Sequence, residues 1–319
     1  GEKETHCSLN LLIAKAQRDR CCMRPFWDTD IKVVVRRVKQ GGIVRVHRGL
    51  YAGKEYWDRL DPHERLRHIL RSLSQWHERW AFCGASAAVM HGLDCSYRQL
   101  HPIHVAVGRN SRPRNQRYVR FHVLDDAETV AVDGARVTSI LRTLVDCAAM
   151  MPRRYAMAPI DSALRQGKTT VEQMLEYVDA IPMLRDRERI RAVLAQGDGR
   201  VENGGESECR AVLDELGFPV HRVQVEFPCL SHPGRVHRVD FLWERDDGTL
   251  IAGELDGVQK YVDPLMTAGW TIRQVVDDER DRQQCLSRRG VDMVRMFYRD
   301  LDNAQVLAYR LEQARVPRR

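Results

Sequence analysis

The sequence predicts an α+β protein of several domains. Its 319 residues exceed what one hydrophobic core usually organises, so two or three domains are expected. Segments with helical spacing of apolar residues are followed by short runs in which apolar and polar residues alternate, as they do in strands. The run Gln-Gly-Asp-Gly-Arg at residues 196–200 is typical of a linker. We therefore predict domains at residues 1–60, 61–196 and 197–319.

The composition favours a protein that meets polyanions and does not enter membranes. The net charge is +7 and the pI about 9.0, and the many arginines suit phosphate contacts. No apolar run approaches the roughly 20 residues that cross a bilayer. The nine cysteines include no Cys-x-x-Cys pair and no Cys/His pattern with zinc-finger spacing. Reduced thiols and a cytoplasmic location are therefore expected.

A basic helix followed by a basic hairpin characterises the first domain. The helix is expected to start at Thr29 and Asp30 and to stop at Gly41. The alternating run at residues 43–51 predicts the two strands of a hairpin. The predicted apolar face of the helix comprises Ile31, Val34, Val35 and Val38.

This order is the outline of a winged helix-turn-helix. Its helix would lie in the major groove of DNA, and its hairpin, the wing, would touch phosphate. The candidate DNA-binding residues are Lys32, Arg36, Arg37, Arg45 and Arg48. The alternative is a helix and hairpin whose basic residues only form a solvated face.

The middle domain is predicted to be a mixed α/β unit. A basic loop rich in Arg, Asn and Pro joins two of its strands. A polar loop kept soluble by its charge is the favoured interpretation, and the alternative is a loop that reaches a phosphate backbone. The predicted strands lie at residues 81–83, 103–107 and 118–123. The predicted helices lie at residues 62–80, 86–90, 137–150, 155–166, 171–178 and 185–194.

The C-terminal domain contains a hairpin that gathers carboxylates. Apolar runs at residues 239–243 and 249–253 flank an Asp-Asp-Gly turn, with a helix and a strand before them and helix, strand and helix after them. Asp240 lies near the start of the first run, while Glu254 and Asp256 share one face of the second strand. Converging carboxylates repel one another unless a hard cation such as Mg²⁺ lies between them.

Three segments in the first half of the chain resemble AbiEi-type antitoxins and transcriptional regulators. They are GIVRVHRGLYA at residues 42–52, CGASAAVMHGL at residues 83–93 and VTSILRTLVD at residues 137–146. The resemblance lies in their order and spacing together. It implies a DNA-binding regulator or antitoxin with a toxin or defence-system partner, and it is compatible with a homodimer.

The last third of the chain resembles the PD-(D/E)xK nuclease core, and within it the branch related to very-short-patch repair endonucleases. The matching segments are ESECR from Glu206, Gln224, RVD at residues 238–240, ELDG from Glu254 and ERDR at residues 279–282. The resemblance implies a restriction-endonuclease-like α/β core. Its activity would be a magnesium- or manganese-dependent hydrolysis of DNA phosphodiester bonds.

The resemblance also implies roles for individual residues. Asp240 and Glu254 would bind the metal, and Glu206 would orient a water or complete the metal shell. Asp256 stands where many of these nucleases carry Lys, so Lys260, Gln259 or Arg282 would steady the phosphate.

The relatives place a His soon after the "D-G", where this chain has Gln-Lys-Tyr, and His232 or His237 would have to substitute for it. The alternative function is therefore a DNA-binding regulator with an inactive nuclease-like domain. The alternative for the hairpin is a set of acids that pair with Arg238, Arg280 and Arg282.

Overall fold

The computed structural model describes residues 2–26, 28–125, 127–256 and 272–319. These residues form a mixed α/β structure of twelve helices and three sheets. The chain divides into two compact units. The first comprises Gly1–Gly92 with Tyr97–Asp146, and the second comprises Leu93–Ser96 with Cys147–Arg319. None of the described helices combines the length and apolar character needed to cross a membrane.

Two helices and a hairpin open the first unit, in the predicted order. They are α1 (Glu2–Arg18), α2 (Asp28–Lys39) and the antiparallel strands β1 (Ile43–His47) and β2 (Leu50–Gly53). Leu9 on α1, Val34 on α2 and Ile43 on β1 pack into one core. The identity of this segment as a winged helix-turn-helix stays a prediction.

The buried face of α2 differs from the predicted one. Ile31 and Val35, which were expected to face inward, are each 43% exposed, whereas Val33 joins Val34 in the core. Three consecutive valines at residues 33–35 make the helical phase ambiguous in sequence, and packing against α1 and β1 selects it.

A five-stranded sheet forms the rest of the first unit, with strand order β5-β4-β3-β7-β6. Its strands are β3 (Ala81–Phe82), β4 (Ile103–Val107), β5 (Val119–Val123), β6 (Thr129–Val132) and β7 (Ala135–Thr138). Its helices are α3 (Lys54–Asp58), α4 (Pro62–Trp76) and α5 (Gly84–Met90), and α6 (Ile140–Met150) follows the sheet. The predicted helix at residues 62–80 therefore ends earlier, at Trp76.

The predicted helix at residues 137–150 is partly wrong. Residues 135–138 form β7, which pairs with β6 in an antiparallel hairpin, and α6 starts only at Ile140. Asp133 and Gly134 turn the hairpin with φ of 46° and 85°. An Asp-Gly pair is a strong signal for such a turn.

The second unit combines helices with a mixed four-stranded sheet of order β11-β10-β9-β8. Strands β10 and β11 run parallel, and the other neighbours run antiparallel. Its helices are α7 (Arg153–Arg165), α8 (Val171–Ala180), α9 (Arg187–Leu194), α10 (Gly204–Glu215), α11 (Ile272–Arg288) and α12 (Ala304–Gln313). Its strands are β8 (Arg222–Pro228), β9 (Val236–Glu244), β10 (Leu250–Asp256) and β11 (Val291–Phe297).

From residue 204 onward the order is helix, three strands, helix, strand and helix, as predicted. Whether this sheet is a nuclease core stays a prediction. Helix α7 packs on α10, so residues on both sides of the predicted boundary at residue 196 lie in one compact unit. The three predicted domain limits also stay predictions.

A buried tryptophan fixes the two central strands. Trp243 on β9 is fully buried, and its Nε1 donates hydrogen bonds to the carbonyls of Phe218 and Pro219 at 3.3 and 3.1 Å. Gly253 on β10 makes room for the indole, because a Cβ there would lie 2.6 Å from a Trp243 ring carbon. The acidic residues follow directly after Gly253 on β10.

Candidate functional site

The acids of the central hairpin lie where β9 and β10 separate. Their antiparallel ladder runs as far as Gly253 opposite Phe241. Beyond it, the backbone N–H of Leu255 donates a 3.0 Å hydrogen bond to Asp240 Oδ2. A side-chain carboxylate thus takes over as the acceptor for β10. This contact ties Asp240 to the backbone of β10 at the residue after Glu254, whose side chain is buried.

Glu206 joins these acids from the first turn of α10. The N-cap residue Asn203 accepts a 3.0 Å hydrogen bond from the Glu206 N–H and donates one of 2.8 Å back to its Oε1. Glu206 Oε2 accepts from the Glu202 N–H at 3.1 Å and from Gln224 Nε2 at 2.8 Å. Gln224 has φ of 52°, in the left-handed region, inside β8. Glu206 and Gln224, which both belong to segments that resemble the nuclease core, are therefore in direct contact.

Burial raises the pKa values of two of these acids, Glu206 and Asp240. Burial and then the nearby charge of Asp240 raise the pKa of Glu206 to about 7. Burial also raises the pKa of Asp240, which the Leu255 N–H and Arg282 oppose. At neutral pH the pair therefore carries a proton part of the time, and a cation between the two acids would favour their ionised forms.

A guanidinium group already neutralises Glu254. Arg282 on α11 forms an ion pair with it, with Nη1 at 3.0 Å from Oε2. The Nη2 of Arg282 also donates to the Arg238 carbonyl at 2.7 Å. Arg238 itself pairs with Glu202 instead. The salt-bridge alternative is thus realised by Arg282 for one of the three hairpin acids.

Asp256 lies in a second ion pair, with Arg295 Nη1 at 3.0 Å. Arg295 also pairs with Glu279, whose Oε2 lies 3.4 Å from Arg282 Nη1. No role was predicted for Arg295, and none for Glu279, although Glu279 belongs to a segment that carried the nuclease resemblance. Lys260 lies outside the described residues.

The donor set suits a hard divalent cation in its chemistry. It offers carboxylate oxygens, although Glu254 Oε1 already lies against Arg282 Nη2 in their ion pair. The repulsion between Glu206 and Asp240 is of the kind that a cation relieves. Mg²⁺ or Mn²⁺ would compete with Arg282 for Glu254, so neutralisation of that carboxylate does not by itself require a metal.

The predicted DNA-binding residues comprise an exposed set and one tethered residue. Arg37 is half-buried and donates from Nη1 to Asn10 Oδ1 at 2.8 Å, so it braces α2 against α1. The exposed basic set comprises Lys32 and Arg36 on α2 and Arg45 and Arg48 on the hairpin.

Contacts join the second and third segments of the AbiEi resemblance, at residues 83–93 and 137–146. His91, at the end of α5, lies with Nε2 2.7 Å from the Thr138 carbonyl. Arg142 and Asp146, four residues apart on α6, form a buried pair at 3.0 Å. Residues 80–196 match the family model of the AbiEi antitoxin C-terminal domain. The predicted resemblance to AbiEi is confirmed for these residues.

Two relatives match a larger part of the chain than the AbiEi model does. They are uncharacterized proteins from two strains of Mycobacterium tuberculosis. Each is 28% identical over 266 residues, which is 77% of this chain and 90% of the relative. The hairpin at residues 43–53 and the acidic site lie outside the AbiEi match, so their predicted functions rest on their own geometry.

A cavity of about 660 Å³ lies between the hairpin and the AbiEi segment within the first unit. The Arg24 guanidinium lies 3.8 Å from the centroid of a Trp76 ring. The rings of His77 and Trp80 stack with centroids 3.7 Å apart. The lining also includes His47, Arg48, Arg117 and Tyr118. Arg48 was predicted to bind DNA, whereas no role was predicted for the aromatic residues of this cavity.

Proposed function

We propose that the protein is a DNA-binding regulator of the antitoxin type whose first unit contacts DNA. The exposed basic set on α2 and the hairpin carries this proposal. It presents positive charge on a helix and on the hairpin that follows it, as expected for a winged helix. The AbiEi match supports the antitoxin class, which implies a toxin or defence-system partner.

The proposal predicts how strongly the affinity for DNA depends on salt. Four contacts between basic side chains and phosphates would release about four counterions and give a slope of log affinity against log salt of about −3 to −4. Each lost phosphate contact should reduce that slope by about 1. The lining of the cavity adds Arg117 near Arg48, and its aromatic rings offer faces on which a base can stack.

The test compares DNA binding by variants of the basic set. Fluorescence anisotropy is measured with a fragment of the protein's own promoter and with a shuffled fragment of equal length, over a range of salt. Arg45→Ala with Arg48→Ala should weaken binding to both fragments and reduce the salt slope by about 2. The control is Arg136→Ala, an exposed arginine on β7 outside the basic set. Equal losses in the control, or no retained DNA at low salt, would contradict the proposal.

A second candidate function is metal-dependent hydrolysis of DNA. The raised pKa of Glu206, to which the charge of Asp240 contributes, favours it. Asp240 and Glu254 would hold Mg²⁺ or Mn²⁺, and Glu206 would orient a water. When bound, the metal would lower the pKa of a water and neutralise the phosphate. Arg282 and, as predicted from the sequence, Lys260 would contact the phosphate.

Plasmid nicking with Mg²⁺ or Mn²⁺ separates the two candidates. A nuclease loses nicking in Asp240→Ala and keeps it in Asp277→Ala, which removes an exposed carboxylate of α11. Nicking that survives Asp240→Ala, or no nicking on varied substrates, would exclude this site as a nuclease. Promoter binding that a chelator leaves unchanged would support the regulator. The oligomeric state, by light scattering, tests the expected homodimer.

A further inference from the structure

Two cysteines and a histidine meet in the second unit, away from the carboxylates. Cys229 follows β8, His237 lies on β9 and Cys285 lies on α11. All three are buried, and one potential ligand atom of each lies within 4.8 Å of the other two. Because 56 positions separate the two cysteines in sequence, no local spacing reveals the group.

We propose that Cys229, His237 and Cys285 bind Zn²⁺ and that His232, an exposed residue beside Cys229, turns in to become the fourth ligand. The Sγ atoms of Cys229 and Cys285 lie 3.5 Å apart, and His232 Nδ1 lies 3.8 Å from Cys229 Sγ. In a tetrahedral site with Zn–S of about 2.3 Å and Zn–N of about 2.0 Å, ligand atoms lie about 3.5–3.8 Å from one another. These two separations have this size, and a ligand atom of His237 lies within 4.8 Å of both sulfurs.

The histidine of the cluster has an unsatisfied nitrogen. His237 Nε2 is buried and has no hydrogen-bond partner among the described residues. A buried polar atom without a partner is unusual and points to a missing ligand or water.

The loop after Cys229 also lies against the second cysteine, because Ser231 Oγ is 3.8 Å from Cys285 Sγ. Sulfur and imidazole donors select zinc over the hard cations that suit the carboxylates. Binding replaces the thiol protons of Cys229 and Cys285 with the metal and releases up to two protons to solvent.

Four protein ligands would make this a closed, structural site. It would tie the loop between β8 and β9 to α11, the helix that carries Arg282. This role does not depend on whether the protein cleaves DNA.

The first test uses the full-length wild-type protein. Elemental analysis after purification without chelators should find about one zinc per chain. After chelation, Co²⁺ should restore a thiolate-to-metal charge-transfer band and the visible bands of tetrahedral cobalt. Protein that holds no zinc after reconstitution and gives no charge-transfer band would overturn the proposal.

The second test assigns the ligands. Cys285→Ser should weaken zinc binding by about tenfold or more, whereas Cys209→Ala, a buried cysteine of another core cluster, should retain it. If Cys285→Ser does not fold, alkylation of the wild type replaces it, with Cys229 and Cys285 protected by zinc and modified after chelation. Equal alkylation of Cys229 and Cys285 with and without zinc would refute the site. A disulfide between these cysteines in freshly purified protein would refute it as well.

Discussion

Replacing Arg282 with Gln probes the contact on which the acidic site depends. In the wild type, Arg282 pairs with Glu254 and Glu279 and donates to the Arg238 carbonyl. The side chain of Glu254 is 6% exposed and that of Arg282 is 21% exposed. The substitution leaves a buried carboxylate with no cationic partner among the described residues, because Gln has no charge to offer.

The expected loss follows from that burial. Removing one partner of a buried ion pair costs about 3–5 kcal/mol. Because Arg282 is partly exposed, water replaces some of its charge stabilisation, so about 3 kcal/mol is expected here. For a unit of this size, 3 kcal/mol corresponds to a decrease in the melting temperature of about 6–12 °C.

Calorimetry of wild type, Arg282→Gln and Arg280→Gln measures this difference. Arg280 is exposed two residues earlier on α11, so its substitution should change stability by less than about 0.5 kcal/mol. If Asp240 and Glu254 hold a divalent cation, Mn²⁺ should stabilise Arg282→Gln more than the wild type, because the competing guanidinium is gone. An Arg282→Gln variant with the same melting temperature as the wild type would refute the stabilising role of the buried ion pair. Absence of a Mn²⁺ effect would refute the carboxylate metal site.

Three further outcomes follow from buried contacts. Folding raises the pKa of Glu206 from 4.5 to about 7, so its contribution to stability is complete below pH 4.5 and lost as pH rises through 7. In urea unfolding measured across that range, Glu206→Gln should reduce the dependence of the midpoint on pH. Gly253→Ala drives a Cβ into Trp243 and should cost about 1–3 kcal/mol in urea unfolding. Arg142→Met should cost about 3 kcal/mol at neutral pH and less below about pH 6, where the raised pKa lets Asp146 protonate, as calorimetry at two pH values would show.

The regular elements were predictable where periodicity and turn residues agree. The alternating apolar runs and the Asp-Asp-Gly turn predict β9 and β10, and both strands form. The phase of α2 was not predictable, because three adjacent valines fit two faces equally well. The strand β7 was missed because residues 135–150 hold apolar residues at spacings that suit a helix throughout, and pairing with β6 decides the strand.

The candidate site was predictable only in part. The segments that resemble the nuclease core assigned Glu206, Gln224 and Asp240 to one site, and these residues lie together in the structure. The salt-bridge alternative named Arg282 as a partner of the hairpin acids, but it did not specify a pair with Glu254, because the partner of a buried carboxylate depends on how α11 packs over the sheet. The Cys/His cluster was missed for the same reason: its ligands come from a loop, a strand and a helix that only tertiary structure joins.

Helix α11 couples the two clusters. Cys285 follows Arg282 by three residues, which is about one helical turn, so a metal at the Cys/His cluster would hold the turn that presents Arg282 to Glu254. Removing zinc should therefore loosen the ion pair as well. In a double-mutant cycle, Cys285→Ser and Arg282→Gln should be non-additive, with a coupling energy of about 0.5–3 kcal/mol. Additive losses would mean that each cluster stabilises the sheet independently, and that Arg282 is positioned by the packing of α11 alone.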